Sequence, residues 1–245
     1  MNMNKKKVLS LSIVVIMIAI LSFSSLAWFS DSDTVQNDFN ISGGDDATPE
    51  DIFSMDVEEN IDTDGDGIAD ETISEGEDAE GEQYDAILPG DVLVKEPFAT
   101  NNGSYDMYIR FQVTFNDLSV WSEILEPYGL SLLDMLELAD GTKLVNDTED
   151  WDFDINDTVV DAQNNTITYR FYFKGILQPD QSVTLFERVR IPAQLNQNDM
   201  AKFFGNFNIV VTADAVQTEN LGADVDTARE AFAVVEGDQT LDQIG

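Results

Sequence analysis

No cysteine and no histidine occur among the 245 residues, and only 12 lysines and arginines stand against 48 aspartates and glutamates. Without cysteine, a domain of this size in an oxidising compartment has to be held by its core rather than by disulfides. Without histidine, Ser-His-Asp and Cys-His catalysis, the histidine-bearing zinc-protease helix and the commonest metal ligand are all removed. The formal charge of −36 repels phosphate backbones, which excludes nucleic acid as a partner and favours divalent cations and cationic surfaces. Hydrophobic residues make up 43% and aromatics 10%. Those fractions are ordinary for a globular domain, so the acidity belongs to surface and loops rather than to wholesale disorder.

Three of the twelve cations stand together at the start. Lys5, Lys6 and Lys7 precede an apolar run from Val8 to Ala27 whose densest part is Ile13–Leu21. This pattern reads as a signal peptide over residues 1–27, with Ser25 and Ala27 as the small residues at −3 and −1 and cleavage before Trp28. The alternative is an uncleaved anchor, because Val8–Ala27 is about long enough to span a bilayer; membrane contact is then confined to that segment. In both cases the lysines stay inside and the rest is exported. Residues 1–27 hold three lysines and no acid, so the chain from Trp28 onward carries −39.

Period-two alternation dominates the remainder of the chain. Val35, Phe39 and Ile41 form the first run, within residues 28–42, and Phe53, Met55 and Val57 a second. The longest joins Tyr105, Met107, Ile109, Phe111, Val113 and Phe115. Ile167, Tyr169, Phe171 and Phe173 repeat it, as do Val183, Leu185, Val189 and Ile191, then Phe207, Ile209, Val211, Ala213 and Ala215. Such runs lay one apolar face on a core and point the other at solvent. With turn signals at Pro89-Gly90-Asp91, Asn101-Asn102-Gly103 and Pro179-Asp180, they predict an all-β antiparallel sandwich, residues 28–42 giving an N-terminal strand and residues 84–220 the remainder. A helical insertion over residues 119–138 is expected from Trp121, Ile124, Leu125, Leu132, Leu133 and Leu136, broken in two at Pro127 and Gly129. A third helix is expected between Asp224 and Val235, within a tail of residues 221–245. No repeat of 20–50 residues is present.

Residues 43–83 contain 17 acidic side chains and no Lys or Arg. One reading is a solvated loop. The other is a calcium loop: Asp62, Asp64 and Asp66 at positions 1, 3 and 5, Gly67 at the sharp turn, the Ile68 carbonyl at 7 and Asp70 at 9. Ile73 stands where a bidentate Glu closes such loops, leaving Glu71 or Glu75 as substitutes, and weak affinity of about 10⁻⁴–10⁻³ M is expected.

An ordered series of motifs carries a family resemblance. It begins with Ser25-Leu-Ala-Trp-Phe-Ser-Asp-Ser-Asp33 and Asn37-Asp-Phe-Asn-Ile41. It continues through Leu88-Pro-Gly-Asp91, Asn101-Asn-Gly-Ser104 leading into Ile109-Arg-Phe111, and Leu177-Gln-Pro179. Leu185-Phe-Glu-Arg-Val-Arg-Ile-Pro192 and Ala213-Asp-Ala-Val-Gln-Thr-Glu-Asn220 complete it. The series resembles the TasA/camelysin family of exported proteins with a SipW-type signal peptide. The acidic 43–83 segment and the tail after Asn220 depart from it. The resemblance implies a jelly-roll-like sandwich processed by a dedicated signal peptidase. It also implies subunits that assemble into biofilm-matrix fibres, the N-terminal strand of one completing the sheet of the next.

That implication fits the residues after Ala27. Val35, Phe39 and Ile41 form an apolar face on a newly freed N-terminal strand, and an open sheet edge is a template for a donated strand. Head-to-tail donation does not close and grows a filament. The alternative is that the segment pairs within its own domain. Three functions are compatible with these residues: a secreted fibre subunit of matrix or cell surface, a monomeric calcium-stiffened surface adhesin, and a camelysin-like metallopeptidase. The last is disfavoured because carboxylates alone favour calcium over zinc.

Overall fold

The computed structural model describes residues 30–32, 53–62, 66–74, 87–203, 208–219, 221 and 225–237. Two antiparallel sheets of six strands each form the expected all-β sandwich. The first runs in the order β1 (Ser30–Ser32), β12 (Ile209–Gln217), β5 (Met107–Phe115), β9 (Thr166–Phe173) and β7 (Trp151–Phe153), with β8 (Val159–Asp161) also on β9. The second runs β3 (Glu71–Ser74), β2 (Met55–Ile61), β4 (Val92–Asn101), β11 (Arg188–Arg190) and β6 (Leu136–Glu137), with β10 (Ser182–Thr184) also on β4.

Alternation explains the core. Met107, Ile109, Phe111, Val113 and Phe115 of β5 are fully buried and meet Val211, Ala213 and Ala215 of β12 and Tyr169 and Phe171 of β9. Met55 and Val57 of β2, Ala99 of β4 and Val189 of β11 face them from the other sheet in one continuous cluster. Burial of each large side chain contributes about 1.5–3 kcal/mol. Trp151 meets Phe111 edge-on at 5.6 Å between centroids, closing the β7 end. Tyr105, expected as the first strand residue, lies outside β5 and is exposed.

The β10 and β11 segments share one register against β4, with Thr184 opposite Phe98 and Arg188 opposite Val94. Between them Leu185 donates to the Pro97 carbonyl at 2.9 Å, but proline has no N–H to return. That missing donor interrupts the ladder. Asn101 ties the turn after β4: its side-chain nitrogen donates to the carbonyls of Tyr105 and Leu177, and its oxygen accepts from Gly103 N–H. This fully buried amide is thereby satisfied.

The helical insertion breaks where expected. Helix α1 (Leu118–Leu125) buries Trp121, Ile124 and Leu125, then tightens into a 3-10 turn, Glu126–Tyr128, and stops at Gly129, whose φ of +66° is left-handed. After Leu130 and Ser131, a second 3-10 turn, Leu132–Met135, runs directly into β6 instead of forming an α-helix. A further helix, α2 (Gln197–Phe203), has no counterpart in the apolar periodicity. Helix α3 (Ala228–Glu236) forms within the expected tail, capped by Thr227 and Glu230 and ended at Gly237.

Candidate assembly edge and cation loop

Strand β1 lies on the outer side of β12, with Ser30 opposite Val216, Asp31 opposite Ala215 and Ser32 opposite Asp214. The pairing is within one chain and covers only the end of β12. Ile209–Ala213 pair with β5 on one side, and among the described residues no strand runs along their other side. Val211 and Ala213 there face the core, whereas Val210 is exposed. Ser30–Ser32 belong to the segment expected to serve as a donor. The cleavage residues Ala27 and Trp28 and the anchors Val35, Phe39 and Ile41 lie outside the described residues.

The face of the first sheet away from the core is covered by α3. Tyr108, Tyr172, Val216, Leu221, Ala228, Ala231 and Phe232 form a second apolar cluster separate from the main core. Alternation reads Tyr108 and Arg110 as outward and solvated, yet both are buried beneath the helix. Arg110 donates from Nε and Nη2 to Asp214 and from Nη1 to Glu236 of α3 at 2.6 Å. Its guanidinium carbon also sits 4.3 Å from the Phe232 ring centroid. Burial works against the Arg110 charge, but the Asp214 and Glu236 carboxylates outweigh it and hold its pKa above the ordinary value. Arg229 reaches back from α3 to Asp152 and Asp157, with its guanidinium 4.3 Å over Tyr172. The sequence signal for this cover is two tyrosines and an arginine on the supposedly wet face of strands, in a chain with few cations.

The acidic segment contributes two strands of the second sheet. Met55, Val57 and Ile61 fasten β2 to the core, and β2 pairs with β3 through Glu58–Ser74 to Ile61–Glu71. The calcium-like sequence is the connection between them. Gly67 N–H donates to Asp62 Oδ2 at 2.6 Å, Ile68 N–H to Asp66 Oδ1 at 2.9 Å, and Asp70 N–H to the Ile61 carbonyl. Gly67 has φ +87°, a conformation side chains resist, although nothing would crowd a Cβ there. Ile68 is exposed. Asp64 lies outside the described residues, and among those described no three acidic groups converge as a metal site. Ile73 sits in β3 opposite Glu59, and Glu71 opens the strand opposite Ile61.

A further titratable group sits on the second sheet. Glu187, between β10 and β11, is held above the ordinary carboxyl value chiefly by burial, with Glu96 and Asp140 adding negative charge nearby. Its Oε2 is buried without a hydrogen-bond partner among the described residues.

Among the described residues no helix is long and apolar enough to cross a membrane. Compared with family models, curated proteins and solved structures, the chain matches none.

Proposed function

We propose that the chain is a secreted structural subunit that assembles into extracellular matrix or surface fibres by exchange of its N-terminal strand. The observation that carries the reading is the cover of β12 among the described residues, where β1 pairs with Asp214–Val216 and no described strand lies beside Ile209–Ala213. A strand entering in the β1 register would set Val35 opposite Val211 and turn it toward the core. Supplied by a neighbouring copy, the same strand would complete the sheet through main-chain hydrogen bonds. The motif resemblance to TasA/camelysin proteins supports the same reading, as does the absence of histidine and cysteine for catalysis.

Calcium is the proposed stiffener of the β2–β3 connection. Asp62, Asp64, Asp66, Asp70 and the Ile68 carbonyl would hold it, an all-oxygen set suited to a hard cation, with Gly67 already in the turn conformation. A monomeric calcium-stiffened adhesin is the second reading, favoured by the pairing of β1 within its own chain.

Electron microscopy of the mature protein and of a deletion lacking Trp28–Ile41 tests the proposal. The mature chain is expected to form fibres, and the deletion to remain a folded monomer that binds a synthetic Trp28–Ile41 peptide. Fibres from the deletion would rule out strand exchange; a monomeric mature chain would favour the adhesin.

A further inference from the structure

The first sheet ends in a second open edge, on the side away from β1 and β12. Strand β8 pairs with β9 through Val159–Thr168, Val160–Ile167 and Asp161–Thr166. Its other side carries no strand among the described residues. Val159 and Val160 point to opposite faces, yet both are exposed, at 45% and 57%, and Ile155 just before them at 58%. Three exposed aliphatic side chains on an unpaired edge invite lateral pairing, which proteins ordinarily prevent with charge, proline or cover. Asp157 is unavailable as a guard because Arg170, Tyr172 and Arg229 all bind its carboxylate.

A repeated acceptor sequence flanks this edge. Asn-X-Ser/Thr with X other than proline occurs at Asn40, Asn102, Asn146, Asn156 and Asn164. Asn40 lies outside the described residues, and the other four asparagines are all exposed. Two of them bracket β8. Asn156 lies in the 3-10 turn Ile155–Asp157 that leads into the strand, and Asn164 lies in the turn that leaves it for β9. Each side-chain nitrogen is held only by a neighbouring exposed or half-exposed aspartate, Asp154 at 2.8 Å and Asp161 at 2.7 Å. Water replaces such partners at little cost.

We infer that Asn156 and Asn164 are N-glycosylation sites whose glycans cover the β8 edge. The donor would be a glycan carried on a polyprenyl phosphate or diphosphate at the outer face of the membrane. The asparagine side-chain nitrogen bonds to the anomeric carbon, the bond from that carbon to the phosphate oxygen breaks, and the lipid phosphate leaves while the amide loses one proton. Thr158 and Thr166 supply the hydroxyls of the two acceptor sequences. Bulky, soluble glycans at both ends of a three-residue strand would stop sheet-to-sheet pairing there and leave β12 as the edge open to exchange. The inference rests on the proposed export of the chain.

Mass spectrometry of the protein recovered from the exported fraction of its own host decides the matter. The peptides bearing Asn156 and Asn164 are expected to carry glycosyl mass increments. N156Q and N164Q should each remove one increment, T158A should act as N156Q does, and T158S should retain the glycan. The N156Q/N164Q double variant should sediment as larger, laterally associated species. Exported protein with bare peptides overturns the glycan assignment alone, whereas bare protein retained inside the cell overturns export with it. Glycosylated protein whose double variant associates no more than the parent overturns the shielding role.

Discussion

Arg110 and Asp214 meet across neighbouring strands through two nitrogens and a single oxygen. Nε and Nη2 of the guanidinium donate to Asp214 Oδ2 at 3.1 and 2.7 Å, and Gln112 adds a third donor to the same atom at 2.8 Å. Both side chains are nearly closed to solvent, so loss of one partner strands a buried charge. Arg110→Ala is expected to lower the unfolding free energy by about 3–5 kcal/mol. Arg110→Lys should cost less, since it keeps the charge but cannot reproduce the fork. Urea unfolding measures both, and an alanine variant within about 1 kcal/mol of the parent would refute the pair's importance. By contrast Glu236, which is partly exposed, should tolerate Gln with a change of under about 1 kcal/mol.

Phe232 tests whether α3 is one cooperative unit with the sandwich. It is buried in the outer cluster, 6.0 Å from the Tyr172 ring, and that cluster is separate from the main core. Removing a buried Phe side chain typically costs about 3–5 kcal/mol. In Phe232→Ala the loss should fall locally: amide exchange should accelerate across Ala228–Glu236 while Ile109–Val113 of β5 keep their protection. Equal acceleration in both regions would mean that helix and sheet open together.

The same outer face shows what period-two reading conveys and what it omits. Strands β5, β9 and β12 are legible because their apolar residues alternate without interruption, and the two-layer sandwich follows from them. The break at Pro127 and Gly129 is legible because both residues act locally. Strand β4 is hidden because Pro97 sits in its middle, and its place is set by β2 on one side and by β10 and β11 on the other, pairings that sequence spacing cannot see. Tyr108 and Arg110 read as solvent-facing because only tertiary packing brings α3 over them. Of the candidate site, the acidic sequence and its Gly67 turn are readable, whereas the pairing of β2 with β3 on either side of it is not, because Glu71–Ser74 is too short and polar to show an apolar alternation. The short pairing of Ser30–Ser32 within its own chain is not readable either, since three polar residues carry no apolar pattern.

Glu187 gives a pH-dependent stability effect of definite sign. Burial raises its folded-state pKa above the ordinary value of 4.5, so folding favours the protonated form. Its ionisation therefore opposes folding as pH rises through the raised value, and the opposition is absent below the unfolded value. Glu187→Gln removes that charge while keeping the shape of the side chain. The variant should melt higher than the parent at pH 7 and converge with it below about pH 4.5. A variant less stable at pH 7, or an advantage unchanged in acid, would mean that the carboxylate has a partner stronger than its desolvation.

Processing should leave Trp28 as the first residue, because Ser25 and Ala27 form the well-placed small pair at the end of the apolar run. N-terminal sequencing of exported protein checks this, and a start within Val8–Leu26 would contradict it.

Charge should govern assembly. Val35, Phe39 and Ile41 as three buried anchors would each contribute about 1.5–3 kcal/mol, enough with ladder hydrogen bonds for a long-lived contact. Opposing it would be the −39 that the chain carries from Trp28 onward, a repulsion that salt screens over about 8 Å at physiological ionic strength. Chelated protein at about 0.01 M salt, where screening extends to about 30 Å, should therefore stay monomeric, and added sodium chloride should produce fibres visible by light scattering and microscopy. Calcium should act at far lower concentration than monovalent salt if it binds the β2–β3 turn. Asp64→Ala together with Asp66→Ala separates the two effects: calorimetry should lose the weak site, and fibre growth should lose its calcium response while keeping its salt response. A double variant that still responds fully to calcium would show that the ion acts as diffuse counter-charge over the acidic surface. Fibres that form equally well in chelator at low salt would show that the apolar contact overcomes the repulsion unaided.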